Sequence, residues 1–219
     1  MRVLLSGVVG STAYGLARDG SDVDRLGVFA VDTAELHGLR RPVESVVDTA
    51  PDRTWHEAAK WCRLALVCNP TVSELVWLSP ELYEERTALG EELIGLRERF
   101  LSARAVRSAY LGYAGQQLRK LRTREAGSRA AKPARHLVRL LEQAVGLHET
   151  GELRVRLADP ERVRELGERI ARCPEVAEPL LARAEQRLDR PGVLPEAPDE
   201  APVEDWLRRV RLAHLAVAG

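Results

Sequence analysis

The sequence predicts an α+β protein, with a small mixed α/β head over residues 1–85 and a mainly helical region over residues 86–219. Three observations predict it. Short Val- and Thr-rich stretches fill the start of the chain. Gly- and Pro-containing breaks separate them. From about Thr87 onward the apolar residues recur at helical spacing almost to the end.

The elements follow in order. Val3–Val9 is an apolar run and reads as the first strand. A Gly10–Ser11 turn follows, and Thr12–Arg18 can form a short helix opening on it. Asp22–Val31 reads as a second strand, antiparallel to the first and beside it. Pro42–Ala50 has strand character. Pro51-Asp52 signals a turn, and Thr54–Val67 has helical periodicity through Trp61, Leu64 and Ala65. Asn69-Pro70 breaks that helix. Thr71–Leu78 resumes it, with Thr71 as cap and Glu74 as its capping-box partner. Helices are then expected near Glu91–Phe100, Ala103–Thr123, Lys132–Glu149, Pro160–Arg172, Glu175–Arg187 and Val203–Ala218. Arg122–Arg129 reads as an exposed loop and Pro191–Pro202 as a linker. Trp206, Val210, Ala213 and Val217 give the last helix an apolar stripe, suited to packing in cis or to a dimer interface.

Bulk properties narrow the function classes. The 219 residues fit one large domain or two small ones, and 45% hydrophobic content is ordinary for a chain with a real core. Formal net charge is zero, with 33 basic and 33 acidic residues, so the whole molecule is not a generic polyanion binder. No apolar run approaches the roughly 18 residues of a membrane span. The N-terminal apolar stretch is short and leads straight into the Gly-Ser turn, so it reads as a core strand rather than a leader. Cys62, Cys68 and Cys173 are odd in number and lack metal-type spacing, which fits a reducing cytoplasm. The histidines are scattered and outline no zinc site. Charge is uneven, however. Residues 97–139 carry 12 Lys/Arg against 2 Glu, a balance of +10. Such a segment suits a triphosphate or a nucleic-acid backbone, or else makes a solvated Arg-rich helix face.

The segment from Gly10 to Gly27, GSTAYGLARDGSDVDRLG, carries the chemistry. Two residues apart on a strand, Asp22 and Asp24 face the same way. Carboxylates held that close repel unless a cation lies between them. A hard divalent ion, Mg²⁺ or Mn²⁺, suits an oxygen-only pair and brings phosphate and water as its other ligands. Gly10 lets backbone N–H groups approach a phosphate, and Ser11 adds a hydroxyl donor. These are parts for phosphoryl or nucleotidyl transfer. A third carboxylate on a neighbouring strand would help hold a metal and accept a proton. Asp52 and Asp48 both stand as candidates. Tyr14 is open to packing under the turn or stacking on a nucleotide. Arg25 follows the acidic pair and faces the other way. Lys132, Arg135/His136 and Arg139 recur at i, i+3/i+4 and i+7, one helix face whose Lys132, His136 and Arg139 are suited to bind phosphates. Tyr110, Tyr113 and Gln117 share a face of the preceding helix.

The Gly10-Ser11, Tyr14-Gly15, Ser21-Asp22-x-Asp24 and Gly27 pattern resembles the DNA polymerase β-like nucleotidyltransferase superfamily, and within it the bacterial and phage group encoded near RNA-repair genes. LALVCNPTVSELVW (64–77), AYLGYAGQQLRKL (109–121) and KPARHLVRLLEQAVGLHETGEL (132–153) resemble the same group in the same order. The resemblance covers roughly residues 1–170. It implies a polymerase-β-type sheet and a two-metal transfer of a nucleoside monophosphate from a nucleoside triphosphate such as ATP, with pyrophosphate released. Asp22, Asp24 and Asp52 would hold metal, and Gly10, Ser11, Lys132, His136 and Arg139 would hold nucleotide. Counting back from Asn69-Pro70, the family pattern puts its third Asp at Asp52, although Pro51 and Arg53 stand where apolar strand residues are expected. The resemblance implies an RNA end as acceptor. A protein or small-molecule acceptor receiving AMP, or a nucleotide- or RNA-binding module without catalysis, are the competing readings. The base preferred and the oligomeric state are open.

Overall fold

A computed structural model describes residues 1–50, 52–123 and 128–215, and it divides into two compact units. The first comprises residues 1–67, 71–100 and 198–219, and the second comprises 68–70 and 101–197. Residues 86–100 and 198–215, which the sequence grouped with the helical region, thus belong with the sheet.

The first unit is a mixed sheet covered by helices. Its elements are β1 (Arg2–Val9), α1 (Gly10–Tyr14), β2 (Asp24–Ala30), α2 (Thr33–Leu36), β3 (Ser45–Thr49), β4 (Asp52–Glu57) and α3 (Ala58–Leu66). After the short α4 (Pro70–Ser73) and a 3-10 turn over Glu74–Trp77 come β5 (Tyr83–Arg86) and α5 (Ala88–Gly95). The strand order is β3-β4-β2-β1-β5. Among the described residues, only β2 and β4 pair in parallel, and the other neighbours are antiparallel. On one face Phe29, Val31 and Trp55 make a small core with Val3, Leu36 and Val46. Gly27 makes room for it: a Cβ there would overlap Trp55 Cε3 and Cζ3 and stand 3.1 Å from Cδ2. Leu5, Leu26 and Val28 are buried, and α3 packs on β2 and β4. Trp61 of α3 meets Phe100 edge-on, with ring centroids 5.3 Å apart.

Three expectations are corrected here. Thr54–Val67 is not one helix, because residues 52–57 form β4, hydrogen-bonded on both sides by β2 and β3. Trp55 is the only large apolar residue in DRTWHE, so sequence periodicity saw only the helix beyond it. The helix starts where Glu57 caps it, its carboxylate accepting from the Ala59 N–H at 2.9 Å. Second, β2 starts at Asp24 and not at Asp22. The chain leaves the sheet at Gly10, so Val9–Asp24 is the last rung between β1 and β2. Third, Thr71–Leu78 is a one-turn α-helix starting at Pro70, then a 3-10 turn.

The second unit is helical: α6 (Ala103–Arg122), α7 (Ser128–Thr150), α8 (Pro160–Arg172) and α9 (Ala177–Leu188). The pairs α6–α7, α7–α8 and α7–α9 all pack, so α7 is its central helix. The short chain between α6 and α7 makes them an antiparallel pair. Between α7 and α8 an extended stretch buries Leu153, Val155 and Leu157 and exposes Arg154 and Arg156. Of the Arg122–Arg129 loop expectation, residues 124–127 lie outside the described residues, while Arg122 ends α6 and residues 128–129 begin α7.

The last helix, α10 (Glu200–Ala213), returns to the first unit. Its stripe packs in cis through Trp206 and Val210, which are fully buried, whereas Ala213 is exposed; Trp206 Nε1 donates to the Leu89 carbonyl at 2.9 Å. Val217 lies outside the described residues. Arg211 donates to Glu57 at 2.6 Å, and the Thr33 hydroxyl donates to the Arg211 carbonyl at 2.6 Å. Among the described residues, no helix is long and apolar enough to cross a membrane.

Candidate active site

The Gly-Ser turn is built where β1 stops. Gly10 adopts φ +68°, and a Cβ on it would lie 2.9 Å from Asp24 Cγ and nearer still to Oδ2. Glycine is therefore required for two reasons, its backbone conformation and the close approach of the Asp24 carboxylate. Ser11 follows in α1, which Gly15 ends in the left-handed region at φ 75°. The Ser11 carbonyl accepts from the Leu16 and Ala17 N–H groups at 2.8 and 3.0 Å, which closes the turn. Ser21 clasps the return loop: its hydroxyl accepts from the Arg18 N–H at 2.9 Å, and its own N–H donates to the Arg18 carbonyl at 2.9 Å. That loop delivers Asp22, exposed, immediately before β2.

Register decides what stands beside Asp24. In the parallel β2–β4 ladder Arg25 pairs with Arg53, so Asp24 and Asp52 sit one residue earlier on adjacent strands. Alternation puts both carboxylates on the face opposite the two arginines. Each arginine is held on that reverse face. Arg25 donates to Glu84 at 2.8 and 3.0 Å, and Arg53 donates to Asp48 at 2.6 Å. Asp48 lies opposite Arg53 in the antiparallel β3–β4 ladder, so it too faces away from Asp24. Of the two candidate third carboxylates, Asp52 therefore shares the face of Asp24. The donors are carboxylate oxygens alone, which fits a hard divalent cation. Among the described residues, no three His, Cys, Asp or Glu side chains are close enough to form a metal cluster as they stand.

Tyr14 packs beneath the turn, 9% exposed, and its hydroxyl donates to Glu74 Oε2 at 2.6 Å. Glu74 is fully buried and sits in the 3-10 turn after α4, which begins ahead of Thr71. Besides its place in the capping spacing, Glu74 thus answers Tyr14. The buried thiols of Cys62 and Cys68 are pushed up to about 12 and about 11, chiefly by burial, so neither is a ready nucleophile.

In the helical unit, Lys132, His136 and Arg139 share one face of α7, as their spacing requires. They differ in exposure. Lys132 is exposed, His136 is half-buried and Arg139 is 1% exposed. The Arg139 guanidinium donates to Gln143 Oε1 at 2.6 Å and to His136 Nδ1 at 2.9 Å. Because a guanidinium only donates, Nδ1 must be the acceptor and the ring carries its proton on Nε2. Burial, together with Arg139, Lys120 and Lys132, pushes the imidazole down to about 3, so His136 is neutral at physiological pH. On the preceding helix Tyr110 and Gln117 are buried, and the Tyr113 hydroxyl accepts from Asn69 Nδ2 at 2.8 Å. Sequence spacing missed Lys120 because it lies on a different helix from the α7 face it adjoins.

The sequence model of the RNA repair pathway DNA polymerase beta family (RlaP) matches residues 1–192. The chain belongs to that family. The RlaP match covers the mixed sheet and the helices from α3 to α9, and the architecture is that of a polymerase-β-like nucleotidyltransferase. RlaP membership implies a nucleotidyltransferase working in an RNA-repair pathway. A search of the curated proteins returns no match.

Proposed function

We propose that the protein transfers a nucleoside monophosphate from a nucleoside triphosphate to an RNA end, with Mg²⁺ or Mn²⁺ as cofactor. The observation that carries this reading is the adjacency of Asp24 and Asp52 on parallel strands, with Arg25 and Arg53 committed to acids on the other face. Two carboxylates on one face of adjacent strands repel each other, and a divalent ion held between them relieves that repulsion. Asp22, Asp24 and Asp52 would hold the metal, which supplies charge neutralisation on the triphosphate when bound. Gly10 and Ser11 contribute N–H and hydroxyl donors to its phosphates. Lys132 adds cationic charge, while His136 and Arg139 shape that face from beneath. In the transfer, an RNA hydroxyl oxygen bonds to the α-phosphorus, the bond from that phosphorus to the bridging oxygen breaks, and pyrophosphate leaves with the electron pair. Asp52 takes the proton from the attacking hydroxyl.

The experiment is incubation with each α-³²P-labelled nucleoside triphosphate, metal and short RNAs with different ends, for wild type and Asp24→Asn. The expected result is label on RNA with wild type and at least a hundredfold less with Asp24→Asn. Label on the protein instead of RNA would overturn the acceptor assignment. Nucleotide binding without transfer under any condition would make the protein a binding module.

A further inference from the structure

The α6–α7 pair brings together cations that lie far apart in sequence. Lys120 stands in the last turn of α6, and Lys132 stands near the start of α7. In an antiparallel pair with a short connection, positions near the two joined ends stand level with one another. Both lysines are exposed, and neither makes an ion pair with any described residue. Both lie close enough to His136 to disfavour its protonation, alongside Arg139. The His136 ring is held by Arg139 at 2.9 Å, and Arg139 by Gln143 at 2.6 Å, so this cluster is built on a fixed, buried support. Two exposed lysines thus act on a neutral imidazole that a buried guanidinium holds. Like charges gathered this way repel one another, and an anion bound between them relieves that repulsion. Lysine binds phosphate as a mobile point charge, and neutral His136 keeps Nε2–H available as a donor.

We propose that Lys120 and Lys132, on either side of His136, clamp a phosphate group of the substrate. Lys120 enters the site from α6, and Arg139 serves as support and not as a ligand. The proposal rests on the nucleotidyl-transfer reading for the source of the phosphate, which is either the triphosphate or the RNA backbone.

The test is equilibrium binding by the full chain, without metal, of two probes: a fluorescent ATP analogue and a short labelled single-stranded RNA. The variants are Lys120→Gln, Lys132→Gln, the double variant and Lys120→Arg, each checked for wild-type circular dichroism and Tm. Each Gln variant is expected to weaken one probe about three- to tenfold, with Lys120→Arg retaining the affinity. Loss confined to the ATP analogue assigns the triphosphate. Loss confined to RNA, with the salt slope reduced by about 0.7 per lysine, assigns the RNA backbone. Wild-type affinity and slope for both probes in the double variant would overturn the clamp, as would a wild type that binds neither. Binding intact in wild type without nucleotide transfer defeats the catalytic reading and leaves the clamp standing, so the two fail separately.

Discussion

The Cα of Gly10 lies so close to the Asp24 carboxylate that a Cβ there would stand 2.9 Å from Asp24 Cγ and inside contact with Oδ2. The turn and the acidic residue occupy positions that only a missing side chain makes compatible. Gly10→Ala should displace the carboxylate and also strain the backbone at φ +68°. A left-handed conformation costs a non-glycine residue about 1–2 kcal/mol. The expected outcome is a drop of that size in urea-unfolding stability, with at least a hundredfold loss of pyrophosphate release. Wild-type activity in a folded variant would show that the approach has no functional weight.

Asp48 and Asp52 should separate cleanly. Asp48 accepts from Arg53 at 2.6 Å on the face away from Asp24, through partly exposed side chains. Such a pair contributes at most about 1 kcal/mol. Asp48→Asn is therefore expected to leave kcat within about twofold of wild type and to lower stability slightly. Asp52→Asn should cost at least tenfold in kcat with little change in Tm. Measuring kcat and thermal unfolding side by side checks both, and the reverse pattern would make Asp48 the third carboxylate.

Tyr14 and Glu74 form a buried hydrogen bond across 60 residues of sequence. Removing the phenol oxygen withdraws a donor from a fully buried carboxylate, a loss of about 1–3 kcal/mol. Tyr14→Phe should lower stability by that amount in urea titration. Because α1 carries Ser11, the KM for nucleoside triphosphate should rise more than kcat falls.

His136 predicts a pH dependence of known sign. Its folded pKa of about 3 lies well below the ordinary imidazole value. The unfolded chain therefore binds a proton first as pH falls. The stability tied to neutral His136 is fully present above about pH 7 and is lost progressively toward pH 3. Between pH 7 and pH 5 the loss should be about 1–2 kcal/mol. Urea unfolding across that range should show it, and His136→Asn should flatten the slope.

Much of the site was legible in the residues themselves. The Gly-Ser turn and the α7 basic face depend on local spacing, and local spacing is what a sequence displays; the acidic pair was read as two residues of one strand, whereas Asp22 precedes β2. The strand β4 was hidden, because DRTWHE carries one large apolar residue and its stability comes from ladders on both sides. With β4 hidden, the choice between Asp48 and Asp52 stayed open. The basic face was read as phosphate-binding Lys, His and Arg side chains, whereas burial leaves His136 neutral and encloses Arg139.

The sequence by itself determined the α+β class, the order of most helices and the residues of the nucleotidyl-transfer motif. These follow from backbone propensity, apolar periodicity and short-range turn chemistry. Only the tertiary structure decided that Asp52 stands beside Asp24, that Glu74 answers Tyr14 and that Lys120 joins the face of α7. Each of those is a pairing between residues distant in the chain, set by strand register, by burial or by which helices pack together.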